Sequence, residues 1–166
     1  MTAPKPNALP WLALSALVIA LDQWTKHIAV GALEYLRPVA VIPGFLNWTL
    51  AYNTGAAFSF LHDAGGWQRW LFTIIAIVAS IVFAFWLART RRGDWRNAVP
   101  LALIIGGALG NLVDRLIAGK VTDFIEVYWR DWSFPAFNVA DSAVCVGAFL
   151  LIVLGLVAGK PATSGG

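Results

Sequence analysis

Four long apolar runs, parted by shorter stretches of mixed polarity, dominate the chain. They cover Leu9–Val30, Trp67–Ala88, Asn97–Ile117 and Val139–Gly159. Each is near the roughly 20 residues that a helix needs to cross a hydrocarbon core. The pattern therefore predicts four transmembrane helices. The first run ends in Asp22-Gln23-Trp24-Thr25-Lys26, with no small-residue cleavage site, and reads as an uncleaved span. Between the first two runs, Val39 to Tyr52 is rich in β-branched and aromatic residues and is broken by Pro43-Gly44. That pattern predicts two short strands, part of a small sheet at the interface. Phe58 to Trp67 is mixed in polarity and predicts a short surface helix. Phe124 to Phe137 is aromatic, contains Pro135, and reads as a connection that folds back between the third and fourth runs.

Composition agrees with the pattern. The chain is 59% hydrophobic and 13% charged, whereas soluble domains are about 45–50% apolar and about 25% charged. The expectation is a single four-span membrane domain over residues 1–166, with no room for a separate soluble module. The net charge of +3 is clustered: Arg89, Arg91, Arg92 and Arg96 face one acid, Asp94, in the loop between the second and third runs. By the positive-inside rule that loop is cytoplasmic, as are Lys5 and Lys160 beside the termini. The clustering indicates orientation in a membrane and no nucleic-acid partner. The connections 31–66 and 118–138 then face outward, with Trp48, Trp67, Trp70, Trp129 and Trp132 at the outer edge. Cys145 is the only cysteine and reads as a small buried hydrophobe. His27 and His62 are far apart, so no zinc site is expected.

The informative residues are the polar ones beside or within the apolar runs. Asp22 and Lys26 lie four apart on one helix face, as an ion pair that neutralises itself and snorkels outward or as a scaffold for nearby charges. Asn53, in Asn53-Thr54-Gly55-Ala56-Ala57-Phe58, fits a turn as well as a site residue. In Gly106-Gly107-Ala108-Leu109-Gly110-Asn111-Leu112-Val113-Asp114-Arg115 the small residues permit close helix packing. Asp114 beside Arg115 reads most simply as a salt bridge, with Asn111 one turn away. Asp123 and Asp141 differ, because neither has a basic neighbour in its own motif. A carboxylate at membrane depth costs roughly 2.5–3.5 kcal/mol on insertion scales, and Asn138 precedes Asp141 by one helical turn. Two carboxylates sharing a low-dielectric site hold a proton between them, one activating water and the other protonating a carbonyl oxygen. The same pair would also serve as a proton or cation relay, or as structural hydrogen-bonding groups.

These motifs, in this order and across essentially the whole chain, resemble those of lipoprotein signal peptidase (signal peptidase II), a bacterial inner-membrane aspartyl endopeptidase. The resemblance rests on Asp22-Gln23 with Lys26, the Asn53 and Gly106–Arg115 motifs, Val121-Thr122-Asp123-Phe124-Ile125, and Phe137-Asn138-Val139-Ala140-Asp141-Ser142-Ala143. It implies four transmembrane helices with a small periplasmic β-cradle and a short periplasmic surface helix. Asp123 and Asp141 are its implied catalytic pair, with Asn53, Asn111, Asp114, Arg115, Asn138, Asp22 and Lys26 binding substrate or supporting. The implied substrate is a prolipoprotein whose lipobox cysteine carries diacylglycerol, cut immediately before that cysteine, with membrane lipids around it. No metal or cofactor is implied, and the cyclic peptide globomycin is the implied inhibitor. Both termini would be cytoplasmic and the site near the periplasmic face. Two other classes compete: a small proton-coupled carrier using Asp123 and Asp141 as a relay, and a scaffold docking partners on its outer loop. Inverted repeats and a broken mid-membrane helix, common in carriers, are absent from the sequence.

Overall fold

The computed structural model describes residues 6–54 and 66–158. Helices α1 (Leu12–Ala32), α2 (Trp67–Arg89), α3 (Trp95–Ile117) and α4 (Val139–Ala158) form the bundle. Strands β1 (Val39–Ile42), β2 (Leu46–Asn53), β3 (Val121–Trp129) and β4 (Trp132–Ser133) form one antiparallel sheet in the order β1-β2-β3-β4. The surface helix expected over Phe58–Trp67 falls almost wholly outside the described residues.

Among the described residues, α2, α3 and α4 are long and apolar enough to cross a membrane. The first helix has the length, but Asp22, Gln23, Lys26 and His27 lower its hydropathy, and it is not one of these three. The third helix packs against the other three, which explains why it alone of the three spans is mostly buried. Large side chains such as Ile81 on α2 and Phe149 and Ile152 on α4 point outward. In water such a surface would be an aggregation hazard; against lipid tails it needs no cover.

Small residues set how near the helices come. A Cβ at Gly106 would lie 2.8 Å from Val18 Cβ, and one at Gly107 would collide with the backbone carbonyl of Ala140. The third helix thus touches the backbone of α4 just where α4 begins. It starts at the Asp94 cap, whose carboxylate accepts from the Asn97 N–H at 3.4 Å. It ends at Gly119, where φ of +75° turns the chain into β3 at little cost.

The Val39–Tyr52 region is the expected hairpin, β1 with β2. The segment after it was not legible as strand: Val121–Trp129 pairs with β2, placing Ala51 opposite Asp123 and Asn53 opposite Val121. The expected fold-back of Phe124–Phe137 is borne out: its first six residues belong to β3, β4 returns beside them, and Ile125 and Phe137 exchange N–H···O bonds at 2.9 and 3.0 Å. Glu126 ties three strands together, accepting from Thr49 Oγ1 at 2.6 Å, Ser133 Oγ at 2.7 Å and Asn47 Nδ2 at 3.2 Å. These three donors hold the Glu126 carboxyl below its ordinary range although its partial burial pushes the other way. The expected burial of Cys145 is corrected: it is exposed, in the open groove between α2 and α4.

Candidate active site

Asn138 is the first residue to place, because it serves two acids. It stands immediately before α4, and its Oδ1 accepts from the Asp141 N–H at 2.9 Å. Asp141 Oδ2 in turn accepts from the Asn138 N–H at 3.2 Å. This reciprocal pair is a capping box in which Asn and Asp replace Ser and Glu. It fixes Asp141 in the first turn of α4, where the helix dipole favours a negative charge. The same Asn138 donates from Nδ2 to Asp123 Oδ1 at 2.7 Å and to the Thr122 carbonyl at 3.2 Å. One asparagine therefore contacts both Asp123 and Asp141.

A second layer fixes the amides. Lys26 Nζ lies 2.7 Å from Asp22 Oδ2 and 3.0 Å from Asp114 Oδ2, and it donates to Asn111 Oδ1 at 2.9 Å. Asn111 Oδ1 also accepts from Asn138 Nδ2 at 3.1 Å, so its Nδ2 must face the other way, where it donates to Asp141 Oδ1 at 2.7 Å. Asp22 is fully buried and Lys26 is 4% exposed, so the expected outward snorkelling of this pair is corrected: it is a sealed charge centre. Asp22 Oδ1 further accepts from the Ala140 N–H at 2.9 Å, satisfying an early amide of α4. The Asp114–Arg115 salt bridge is also corrected. Adjacent helical residues point about 100° apart, and Asp114 turns inward to Lys26, also accepting from the Thr122 N–H at 3.0 Å.

Arg115 instead lies over the Phe72 ring, 5.4 Å from its centre, with Nη1 donating to the Asn111 carbonyl at 3.4 Å. Its Nε is buried and has no hydrogen-bond partner among the described residues. Asn53 reaches Asp123 from β2 with its side-chain amide. All nine residues singled out in the sequence thus meet at one end of the bundle. Gln23 had been read only as part of its motif; its Nε2 donates to Asp114 Oδ1 at 2.8 Å and to the Gly110 carbonyl at 3.2 Å. An amide beside an acid in an apolar helix was the signal for it.

The burial of Asp123, then the charge of Asp141, pushes its carboxyl up to about 7, against the opposing effects of Asn138, Lys26 and Asn53. At neutral pH Asp123 can carry a proton beside Asp141, whose two oxygens accept from Asn111 Nδ2 and from the Asn138 N–H. No group of three or more His, Cys, Asp or Glu residues among the described residues could hold a metal ion.

Two cavities lie at this end of the bundle, one of them reaching an acid. One of about 460 Å³ runs between α2 and α4 over α3, past Phe72, Ile75, Ala108 and Val144, and ends at Asn111, Arg115 and Asp141. The other, of about 390 Å³, lies between the end of α1 and the sheet, against Ile28, Leu33, Trp48 and Phe124.

An apolar bundle with a small sheet at one end, over a buried cluster of acids and amides, defines a membrane-embedded enzyme. Two solved structures, each of a bacterial membrane enzyme, share the fold. One superposes with a TM-score of 0.82 at 29% identity, covering 100% of this chain and 99% of that one. For the other the values are 0.79 and 30%, covering 96% and 100%. The family model for signal peptidase (SPase) II matches residues 14–157. The lipoprotein signal peptidase of Xanthomonas campestris pv. campestris (strain 8004) is 56% identical over 163 residues, 98% of each chain. That of Ectopseudomonas mendocina (strain ymp) is 56% identical over 144 residues, 86% of this chain and 85% of the other. The chain belongs to the signal peptidase II family, and so to the proteases that process lipoproteins.

Proposed function

We propose that residues 1–166 form a single aspartic endopeptidase domain that cuts diacylglyceryl-modified prolipoproteins immediately before the lipidated cysteine, with Asp123 and Asp141 as its catalytic pair. The observation that carries this reading is the double contact of Asn138, 2.7 Å from Asp123 Oδ1 and 3.2 Å from Asp141 Oδ2. In this reading Asp123, whose carboxyl burial and then the charge of Asp141 push up to about 7, is assigned as the acid and Asp141 as the base. Asp141 takes a proton from water as the water oxygen attacks the scissile carbonyl carbon, and Asp123 gives its proton to the carbonyl oxygen. As the tetrahedral diol collapses the C–N bond breaks, the departing cysteine nitrogen takes the proton held by Asp141, and one diol hydroxyl returns a proton to Asp123.

The surroundings suit such a substrate. The apolar groove between α2 and α4 ends at Asp141 and accommodates the signal-peptide helix. The cavity beside Trp48 and Phe124 accommodates acyl chains. Arg115 lines that groove and offers its guanidinium to a substrate carbonyl, and Asn53 holds Asp123 from β2. The chain then lies in the bacterial inner membrane with α1 as its fourth span, both termini cytoplasmic and the sheet on the periplasmic side. A globomycin-type cyclic peptide inhibits by occupying the space beside the pair. The carrier and scaffold readings have no observation in their favour.

The test is cleavage of a diacylglyceryl-modified prolipoprotein by the purified protein in detergent, beside the unlipidated precursor, with Asp123→Asn and Asp141→Asn. Wild type cuts only the lipidated form and both folded variants are inert. Turnover by either variant removes that residue from the pair, and no cutting by wild type removes the reading.

A further inference from the structure

The opposite end of the bundle carries a second site. There the chain ahead of α1 is stitched to the turn between α2 and α3: Ala8 N–H donates to the Thr90 carbonyl and Arg92 N–H to the Pro6 carbonyl, each at 3.0 Å. Trp11 Nε1 donates to the Arg92 carbonyl at 3.3 Å. These ties consume backbone groups and leave the side chains of Arg91 and Arg92 exposed, with no ion pair among the described residues. The one acid of the turn, Asp94, is engaged in capping α3 through Asn97, at 2.7 Å to its Nδ2. The pocket therefore keeps a net positive charge, two exposed guanidiniums against one capped carboxylate.

Two cavities meet at Arg92. One of about 440 Å³ is bounded by Pro6, Arg91, Gly93 and the acid Asp94. The other, of about 550 Å³, is an apolar trough along the start of α1, against Trp11, Ala13, Leu14 and Leu17. From Pro10 to Leu17 the trough descends about 10 Å at helical rise, most of the about 15 Å depth of one leaflet's hydrocarbon. A charged pocket opening into a trough of this length matches a molecule with an anionic head and an apolar tail. Free phosphate would leave the trough empty, and a zwitterionic head would bring a second cation to two unpaired guanidiniums.

We infer that this end of the protein binds one anionic phospholipid, its phosphate at Arg91 and Arg92 and one acyl chain along α1. Such a lipid would clamp the chain ahead of α1 to the α2–α3 turn and set the depth of α1, which carries Asp22 and Lys26 from its midpoint onward.

The experiment is native mass spectrometry of the full chain in detergent, titrated with dioleoylphosphatidylglycerol or dioleoylphosphatidylcholine. Wild type should take up the anionic lipid at about thirtyfold lower concentration, as expected for two basic side chains at a membrane surface. Arg91→Gln with Arg92→Gln should erase that preference, while Arg96→Gln, which lines neither cavity, should keep it. Ala13→Trp, at an exposed position, should fill the trough and reduce uptake of both lipids with the arginines intact. Equal uptake by wild type, a preference that survives the double substitution, a loss with Arg96→Gln as great as with the pair, or full displacement by inorganic phosphate would each overturn the inference.

Discussion

Lys26 Nζ donates to Asn111 Oδ1 at 2.9 Å, and that contact decides which way the Asn111 amide faces Asp141. A residue read as one half of a local ion pair thus acts on a carboxylate it does not touch. Lys26→Met is expected to leave Asp22 and Asp114 buried without their cation, at a cost of about 3–5 kcal/mol. It also frees the Asn111 amide to rotate. Thermal unfolding in detergent and cleavage rate should both fall, and a variant of wild-type stability would remove this account of Lys26.

Asn138→Ala loses the helix cap and every side-chain contact to Asp123, Asn111 and Thr122. Loss of a cap costs about 1 kcal/mol, so the protein should still fold. Asn138 holds the Asp123 carboxyl down, so its loss should move the alkaline limb of the pH–rate profile upward while lowering the maximum rate. A limb that stays in place would show that the limb does not report Asp123.

The pH dependence of stability has a definite sign. An unfolded aspartate titrates at about 3.9, and Asp123 in the folded protein at about 7. Between about pH 4 and 7 the folded state keeps a proton that the unfolded chain has released, so stability falls as pH rises through that window and levels off above it. Asp123→Asn should abolish this part of the slope and raise the melting temperature most at pH 8. Parallel Tm–pH curves for the two proteins would contradict the assignment. Cleavage by wild type should likewise decline above about pH 7, as the pair loses its last proton.

Gly107→Ala tests the packing. The added methyl would meet the Ala140 carbonyl and Val144, so α3 and α4 must part. Overpacking of this kind typically costs 1–3 kcal/mol, and the parting also shifts Asp141 away from Asn111. Activity should fall more than stability, and Gly155→Ala, where a Cβ meets nothing within 4 Å, should change neither.

Most of the bundle was legible because helices in lipid must satisfy their own backbone and announce themselves by uninterrupted hydropathy. The α2, α3 and α4 spans read from the sequence agree with the helices within two residues at every boundary. The β1–β2 hairpin was legible from β-branched residues around Pro43-Gly44. Strand β3 was not, because Val121–Trp129 is flanked by no clear turn pair on its far side and owes its strand state to pairing with β2, a non-local partner. The first helix was legible as a helix, but its polar cluster obscures it as a span.

For the site, residue type and neighbourhood alone singled out Asp123, Asp141 and seven companions, since isolated polar groups in apolar runs are costly and so conspicuous. Their partners were not determined by the sequence. Adjacency suggested Asp114 with Arg115, and the fold put Asp114 on Lys26, 88 residues away along the chain. Direction explains the difference: neighbours on a helix diverge, and contacts form between faces that only the packing of α1, α3 and α4 brings together. Which residues are unusual is a local property of the chain; which of them hold one another is settled by tertiary structure.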